Sequence, residues 1–337
     1  MKRAALLFLV VPVGSSRPAA SETALRPALD ELGGQPEGAP TLLVHYHKTG
    51  HHVCNQLAAA FAAVPLPTNI TRVDEAKRTC TSHDFRFSPR QVQAAPSLFC
   101  EHSSTSLEGE ANVVHMTREP VDMAISAYLY HRQQPPPERW LTEGVSCERD
   151  EHNLRQMAAS AAVPWEQVAA VGRECDRLLA LSGAANHYDA LHALSQEDGL
   201  RLEAARSLVS RDTKAGADIL RMAANARWLD VHVRLPALAV LEPTWYDVRA
   251  TNASIAEITR RVLPAGTPQQ QLDAKAEAVG ILFRRSQLVA TTPESQHATV
   301  GHVADEERRA MAQLLEEDVS LGPVLLAVRR VVVDDPW

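Results

Sequence analysis

Apolar positions along this chain fall into two kinds of stretch. Some are short unbroken runs bounded by turn formers; others are longer and carry an apolar residue every third or fourth position. The first kind reads as strands buried on both faces and the second as amphipathic helices. Thr41 to His47 is such a run, and Gly50 to Val64 follows as a helix with Val53, Leu57 and Phe61 on one side. Ser97 to Cys100, just before Glu101 and His102, and Val113 to Met116 predict two further strands. Pro120 to His131 predicts a helix with Pro in its first turn and Val121, Ile125 and Leu129 on one face; Gln133-Gln134-Pro135-Pro136-Pro137 ends it. Leu238 to Leu241 reads as a late strand, and Ser254 to Leu263, Asp273 to Leu288 and Asp305 to Glu317 as helices. Residues 148–229 are rich in Ala, Leu, Glu and Arg at helical spacing and predict three or four helices, an insertion or cap on the core. Strands alternating with helices point to a three-layer α/β fold with a central parallel sheet over 41–330 and a helical insertion at 148–229.

The N-terminus changes the expected address. Lys2 and Arg3 precede the apolar run Ala4 to Val13, and small residues follow at Gly14 to Ser16 and Ala19 to Ser21. That order reads as a signal peptide over 1–23 or a short anchor, with a linker over 24–40. The run is too short for a spanning helix, which needs about 20 apolar residues. Asn69-Ile70-Thr71 and Asn252-Ala253-Ser254 are glycosylation sequons and fit a lumenal or secreted protein of the secretory pathway, such as a Golgi glycoprotein. Of the five cysteines, an odd one stays unpaired; Cys54 faces inward from the first helix, and Cys80 with Cys100 and Cys147 with Cys175 are candidate disulfides. Their spacing fits no structural zinc pattern. Hydrophobic residues make up 45% of the 337, and the net charge of −7 argues against a nucleic-acid or anionic-membrane binder. A membrane enters only if the N-terminal segment is retained.

Positive charge must therefore be local to matter. The run Leu42-Leu43-Val44-His45 leads through Lys48-Thr49-Gly50 into a helix opening His51-His52-Val53. A strand, a tight loop and a helix start aim backbone N–H groups and the positive helix end at one point, which suits a phosphate. Lys48 adds a mobile ammonium. The loop lacks Walker A spacing, so ATP or GTP hydrolysis is disfavoured. A second element follows: Arg118 leaves the strand at Met116-Thr117, and Ser126 lies two turns into the next helix, a guanidinium and a hydroxyl for one anion. His45, His47, His51 and His52 crowd the loop, but no Asp, Glu or Cys joins them there, and no metal is expected.

The two elements together, in this order, resemble the cofactor-binding motifs of sulfotransferases that use 3′-phosphoadenosine 5′-phosphosulfate (PAPS). The stretch Arg118-Glu119-Pro120-Val121-Asp122-Met123-Ala124-Ile125-Ser126-Ala127-Tyr128 resembles the lumenal, carbohydrate-type members more than the cytosolic ones. The resemblance implies a P-loop-like sulfotransferase fold and PAPS as sulfuryl donor, with no metal. It implies that Lys48 contacts the bridging oxygen, that Thr49, Gly50, His51, His52 and Val53 cradle the 5′-phosphate, and that Arg118 and Ser126 hold the 3′-phosphate. His51 and His52 depart from the small residues usual there. The transfer needs a base near a hydroxyl acceptor, a glycan or small molecule; His102 is preferred and Glu101 is the alternate. A kinase-like phosphotransferase and a non-catalytic lumenal nucleotide-binding protein are the rival expectations. Tyr128 is expected to point outward relative to Ile125 and Leu129.

Overall fold

The computed structural model describes residues 41–46, 48–49, 51–64, 98–102, 112–133, 139–143, 147–210, 217–232, 238–241, 248–263, 266–290 and 303–334. Its strands are β1 (Thr41–His45), β2 (Leu98–His102), β3 (Asn112–Thr117) and β4 (Leu238–Leu241). All neighbours pair in parallel, in the order β2-β1-β3-β4. From β1 the chain goes to β2 on one side, then crosses to β3 on the other. The sheet therefore changes winding direction between β1 and β3, and the carboxyl ends of that pair border a crevice.

Two separate cores flank the sheet. Val114, Met116 and Val240 join α1 (His51–Ala63), α9 (Val248–Val262) and α10 (Gln269–Ala290) on one face. Val44 and Tyr46 join the other core, with α2 (Pro120–Gln133), α4 (Glu151–Ser160), α5 (Trp165–Ser182), α6 (His187–Ala193), α7 (Gln196–Val209), α8 (Asp218–His232), α11 (Asp305–Glu317) and α12 (Gly322–Arg329). A short α3 (Arg139–Glu143) follows α2, and a single π-helical turn, Arg330–Asp334, extends α12. The pattern of strands buried on both faces has its cause here: each face of TLLVH and NVVHMT meets a helix layer.

Among the described residues, the span 148–229 holds five helices, α4 to α8, rather than three or four. The difference is α6, a seven-residue helix set off by its own cap, in which the Asn186 side chain accepts from the Asp189 N–H. Asp150 and Ser195 cap α4 and α7 in the same way. α5 ends on Gly183 at φ 63°, a left-handed position that suits glycine. α7 is buried on all sides, from Gly199 and Leu200 through Leu202 to Val209, which erases the polar face that a surface helix would show. A side chain at Gly199 would come within 3.1 Å of the Tyr128 ring, so the glycine permits α2 and α7 to approach closely. These helices share one continuous core with α2 and the sheet face.

Cys147 and Cys175 form a disulfide that ties the segment before α4 to α5, and Cys54 is buried in α1. Arg149 adds a two-pronged ion pair to Asp176, at 2.7 and 2.9 Å. Cys80, Asn69 and residues 291–302 lie outside the described residues. Replacing both Cys147 and Cys175 by Ala is expected to lower the unfolding free energy by about 3.6 kcal/mol, from loop entropy over their separation of 28 residues. Urea titration of the oxidised wild type and the double variant measures it; equal midpoints would show that the bridge does not constrain the unfolded chain.

Candidate anion-binding site

The turn after β1 is closed by one side chain. The Thr49 hydroxyl donates to the Tyr46 carbonyl at 3.0 Å and accepts from the Tyr46 N–H at 2.6 Å. The Thr49 N–H also donates to the Tyr46 carbonyl, at 3.1 Å. Between them Lys48 sits at φ 63°, in the left-handed region that non-glycine residues avoid. A residue held there marks a place where the surroundings over-determine the backbone. The Thr49 amide thus donates within the turn itself. Gly50 and His47 lie outside the described residues.

Arg118 leaves the end of β3 and donates from Nη1 to the Lys48 carbonyl at 2.7 Å. The contact spans the β1/β3 crevice and joins residues 70 apart. Arg118 is only 6% exposed and Ser126, on α2, 4%. The Lys48 ammonium rests over the Tyr130 ring, 2.9 Å from its centroid. His51, His52 and Val53 form the first turn of α1, with Val53 buried in the sheet core. Glu101 and His102 end β2, where the backbone register sets His102 beside His45 and Glu101 beside Val44. Tyr128 is buried, not outward; its hydroxyl accepts from Arg132, and its ring lies against α7 at Gly199.

The two helix starts at the crevice differ electrostatically. At α2 the Glu119 carboxylate accepts from the Asp122 N–H at 2.7 Å, and Asp122 pairs with Arg308 at 2.6 Å. Burial pushes the Glu119 carboxyl up to about 7. At α1 the first turn carries no acidic residue. The positive end of α2 is thus answered from within the chain, and that of α1 is left to face the loop.

Behind the loop lie two buried polar groups that periodicity did not reveal. Tyr46 Oη lies 2.7 Å from His115 Nε2 and accepts from Asn225 Nδ2 at 2.8 Å. Burial pushes the Tyr46 hydroxyl up and the His115 imidazole down to about 3, so a neutral phenol and a neutral ring share this hydrogen bond. Farther in, Glu203 Oε2 accepts from His131 Nδ1 at 2.8 Å and His187 Nε2 at 2.7 Å, while Arg206 and Ser207 approach Oε1. Burial works against the Glu203 carboxylate, but the electrostatic attraction of His131 and His187, and then their hydrogen bonds, hold it well below the usual carboxylate range. Burial drives His131 down and His187 down to about 4, so both rings are neutral.

His131, His187 and Glu203 also offer ligand atoms within 4.8 Å of one another, a set that a transition metal can use. Arg206 argues against it. Its guanidinium already balances the one carboxylate, so a dication would add uncompensated positive charge in a site shut off from solvent. The cluster is a hydrogen-bonded junction of α2, α6 and α7. The residues involved stand 72 and 16 positions apart, which is why no local pattern announced them.

Comparison with protein-family models, curated proteins and solved structures found no match. The site therefore stands on its own geometry.

His187 gives a pH test with a fixed sign. It stays neutral in the fold down to about 4, against 6.5 for the unperturbed ring, so below pH 6.5 the unfolded chain binds more protons. Its contribution is fully present above the unfolded value and is lost as pH falls toward the folded one, about 2 kcal/mol by pH 5. Urea unfolding between pH 5 and 7 is expected to show stability rising with pH, with a slope about one proton shallower in His187→Gln. Parallel slopes for the two proteins would mean that His187 is not held neutral.

Proposed function

We propose that this chain is a PAPS-dependent sulfotransferase that moves a sulfuryl group to a hydroxyl acceptor, a carbohydrate or a small molecule. The observation that carries the reading is the meeting of Lys48 and Arg118 at the β1/β3 crevice, through the 2.7 Å contact to the Lys48 carbonyl. The two motifs are remote in sequence, and an enzyme of this kind needs them on one ligand. The α1 start supports the reading, because its first turn has no acid and an anion is the natural complement.

In this reading the amides of His51, His52 and Val53 receive the 5′-phosphate, with Gly50 expected to join them. Arg118 and Ser126 take the 3′-phosphate. The acceptor oxygen attacks sulfur in line, and the bond from sulfur to the bridging phosphate oxygen breaks. The Lys48 ammonium offsets the charge that builds on that oxygen. The acceptor proton passes to His102, or to Glu101 in the alternate assignment; both end the strand beside β1. No metal is required.

The Cys147–Cys175 disulfide fits an oxidising compartment, the secretory pathway proposed from the N-terminal segment. The Mg²⁺ of a kinase-like phosphotransferase calls for an acidic ligand; among the described strands none ends in Asp, and the carboxylate nearest a strand end is Glu101 of β2, the alternate base in this reading. A non-catalytic nucleotide binder would share the site and differ only in turnover.

Calorimetric titration of the full chain with 3′,5′-diphosphoadenosine is expected to give micromolar binding. Lys48→Ala should weaken it, Arg118→Ala/Ser126→Ala should abolish it, and ATP should bind far less well. A folded wild type that takes up none of the diphosphate would end the sulfotransferase reading.

A further inference from the structure

We propose that Tyr130 is a positioning residue, the aromatic platform that sets where the Lys48 ammonium stands. What Lys48 does there rests on the sulfuryl-transfer reading; where it is held does not. The Lys48 Nζ lies over the ring face at 2.9 Å from the centroid, the geometry in which the negative face of an aromatic ring attracts a cation. A lysine side chain has four rotatable bonds, and one in a turn would sample many positions. A fixed ring confines it before any anion arrives.

The ring is itself held. Tyr130 is 3% exposed and sits edge-on to His131, with ring centroids 5.6 Å apart. His131 is tied through Glu203 to His187 and Arg206, which fixes the rotation of α2 about its own axis. Tyr130 also stands four positions after Ser126, so the hydroxyl proposed for the 3′-phosphate and the platform for Lys48 share one face of α2. One helix thus registers two contacts expected on opposite ends of the same ligand. The buried Glu203 junction acquires a purpose in this arrangement: it keeps that face turned toward the loop.

Ring-current shifts report the contact directly. In the full-length wild type with ¹³C-labelled lysine, the Lys48 Hε signal, identified by its loss in Lys48→Arg, is expected well upfield of the other lysines. Tyr130→Leu should return it to the ordinary position, and Tyr130→Phe, which keeps the ring face, should leave it upfield. An ordinary Lys48 position in the folded wild type overturns the proposal, whether or not any variant folds. Titration with 3′,5′-diphosphoadenosine then separates the two readings. Binding weakened on the order of tenfold in Tyr130→Leu and largely rescued in Tyr130→Phe supports positioning. Equal binding by Tyr130→Leu and wild type overturns it. An upfield Lys48 in a wild type that binds no diphosphate keeps the platform and sinks only the sulfotransferase reading.

Discussion

Everything at the candidate site depends on how backbone polar groups are satisfied where β1 and β3 part. Two neighbouring parallel strands end side by side, and their chains leave toward helix layers on opposite faces of the sheet. The carbonyls and amides at that divergence lose their ladder partners, and a buried group left unpaired costs about 1–3 kcal/mol. Here Thr49 pairs both polar groups of Tyr46, and Arg118 reaches across to the Lys48 carbonyl. Lys48 can then occupy a left-handed backbone conformation that costs about 1–2 kcal/mol. The same few bonds that close the turn also aim a lysine and an arginine at one crevice.

The helical side of the sheet has a comparable anchor. A carboxylate buried without exposure is tolerable only with several donors, and Glu203 has His131, His187, Arg206 and Ser207 around it. A junction of this kind contributes less net stability than an apolar core of the same volume, because desolvation offsets much of the attraction. Its contribution is geometric. An apolar contact between α2 and α7 would allow small rotations, whereas directional bonds to His131 do not. α2 carries Ser126, Tyr130 and His131 within two turns, so its rotation decides whether the site is assembled.

Much of the architecture was legible from local pattern. Leu238–Leu241 and Asp305–Glu317 form with the bounds that their periodicity predicts, and Pro120 opens α2 as its fixed φ suggests. Cys54 is buried and Cys147 joins Cys175. What escaped was tertiary. The helical angle of Tyr128 points it outward, but the second helix layer covers that side too. α7 has no polar stripe because neighbours surround it, so its central role has no sequence signature. Among the described residues of the first loop Lys48 is left-handed, although glycine is the residue that sequence reasoning assigns to such a backbone. Tyr130, Glu203 and His187 gain meaning only from partners brought together by folding.

Charge decides what kind of anion such a crevice suits. The chain as a whole is negative, with a net charge of −7. A long polyanion would meet repulsion over most of the surface and attraction only at one spot. A compact ligand with several negative groups experiences the local field alone. At α2 that field is already answered by Glu119 and Asp122, with Arg308 behind them. At α1 no acid occupies the first turn, and Lys48 and Arg118 flank the same opening. The positive potential is thus concentrated between one helix start and two side chains of different character. The arginine is a rigid fork joined to the loop backbone, suited to holding a phosphate in place. The lysine is a point charge on a flexible stem over an aromatic ring, suited to following charge as it develops. Under the sulfotransferase proposal, the Arg would supply binding and the Lys charge stabilisation as the sulfuryl group leaves.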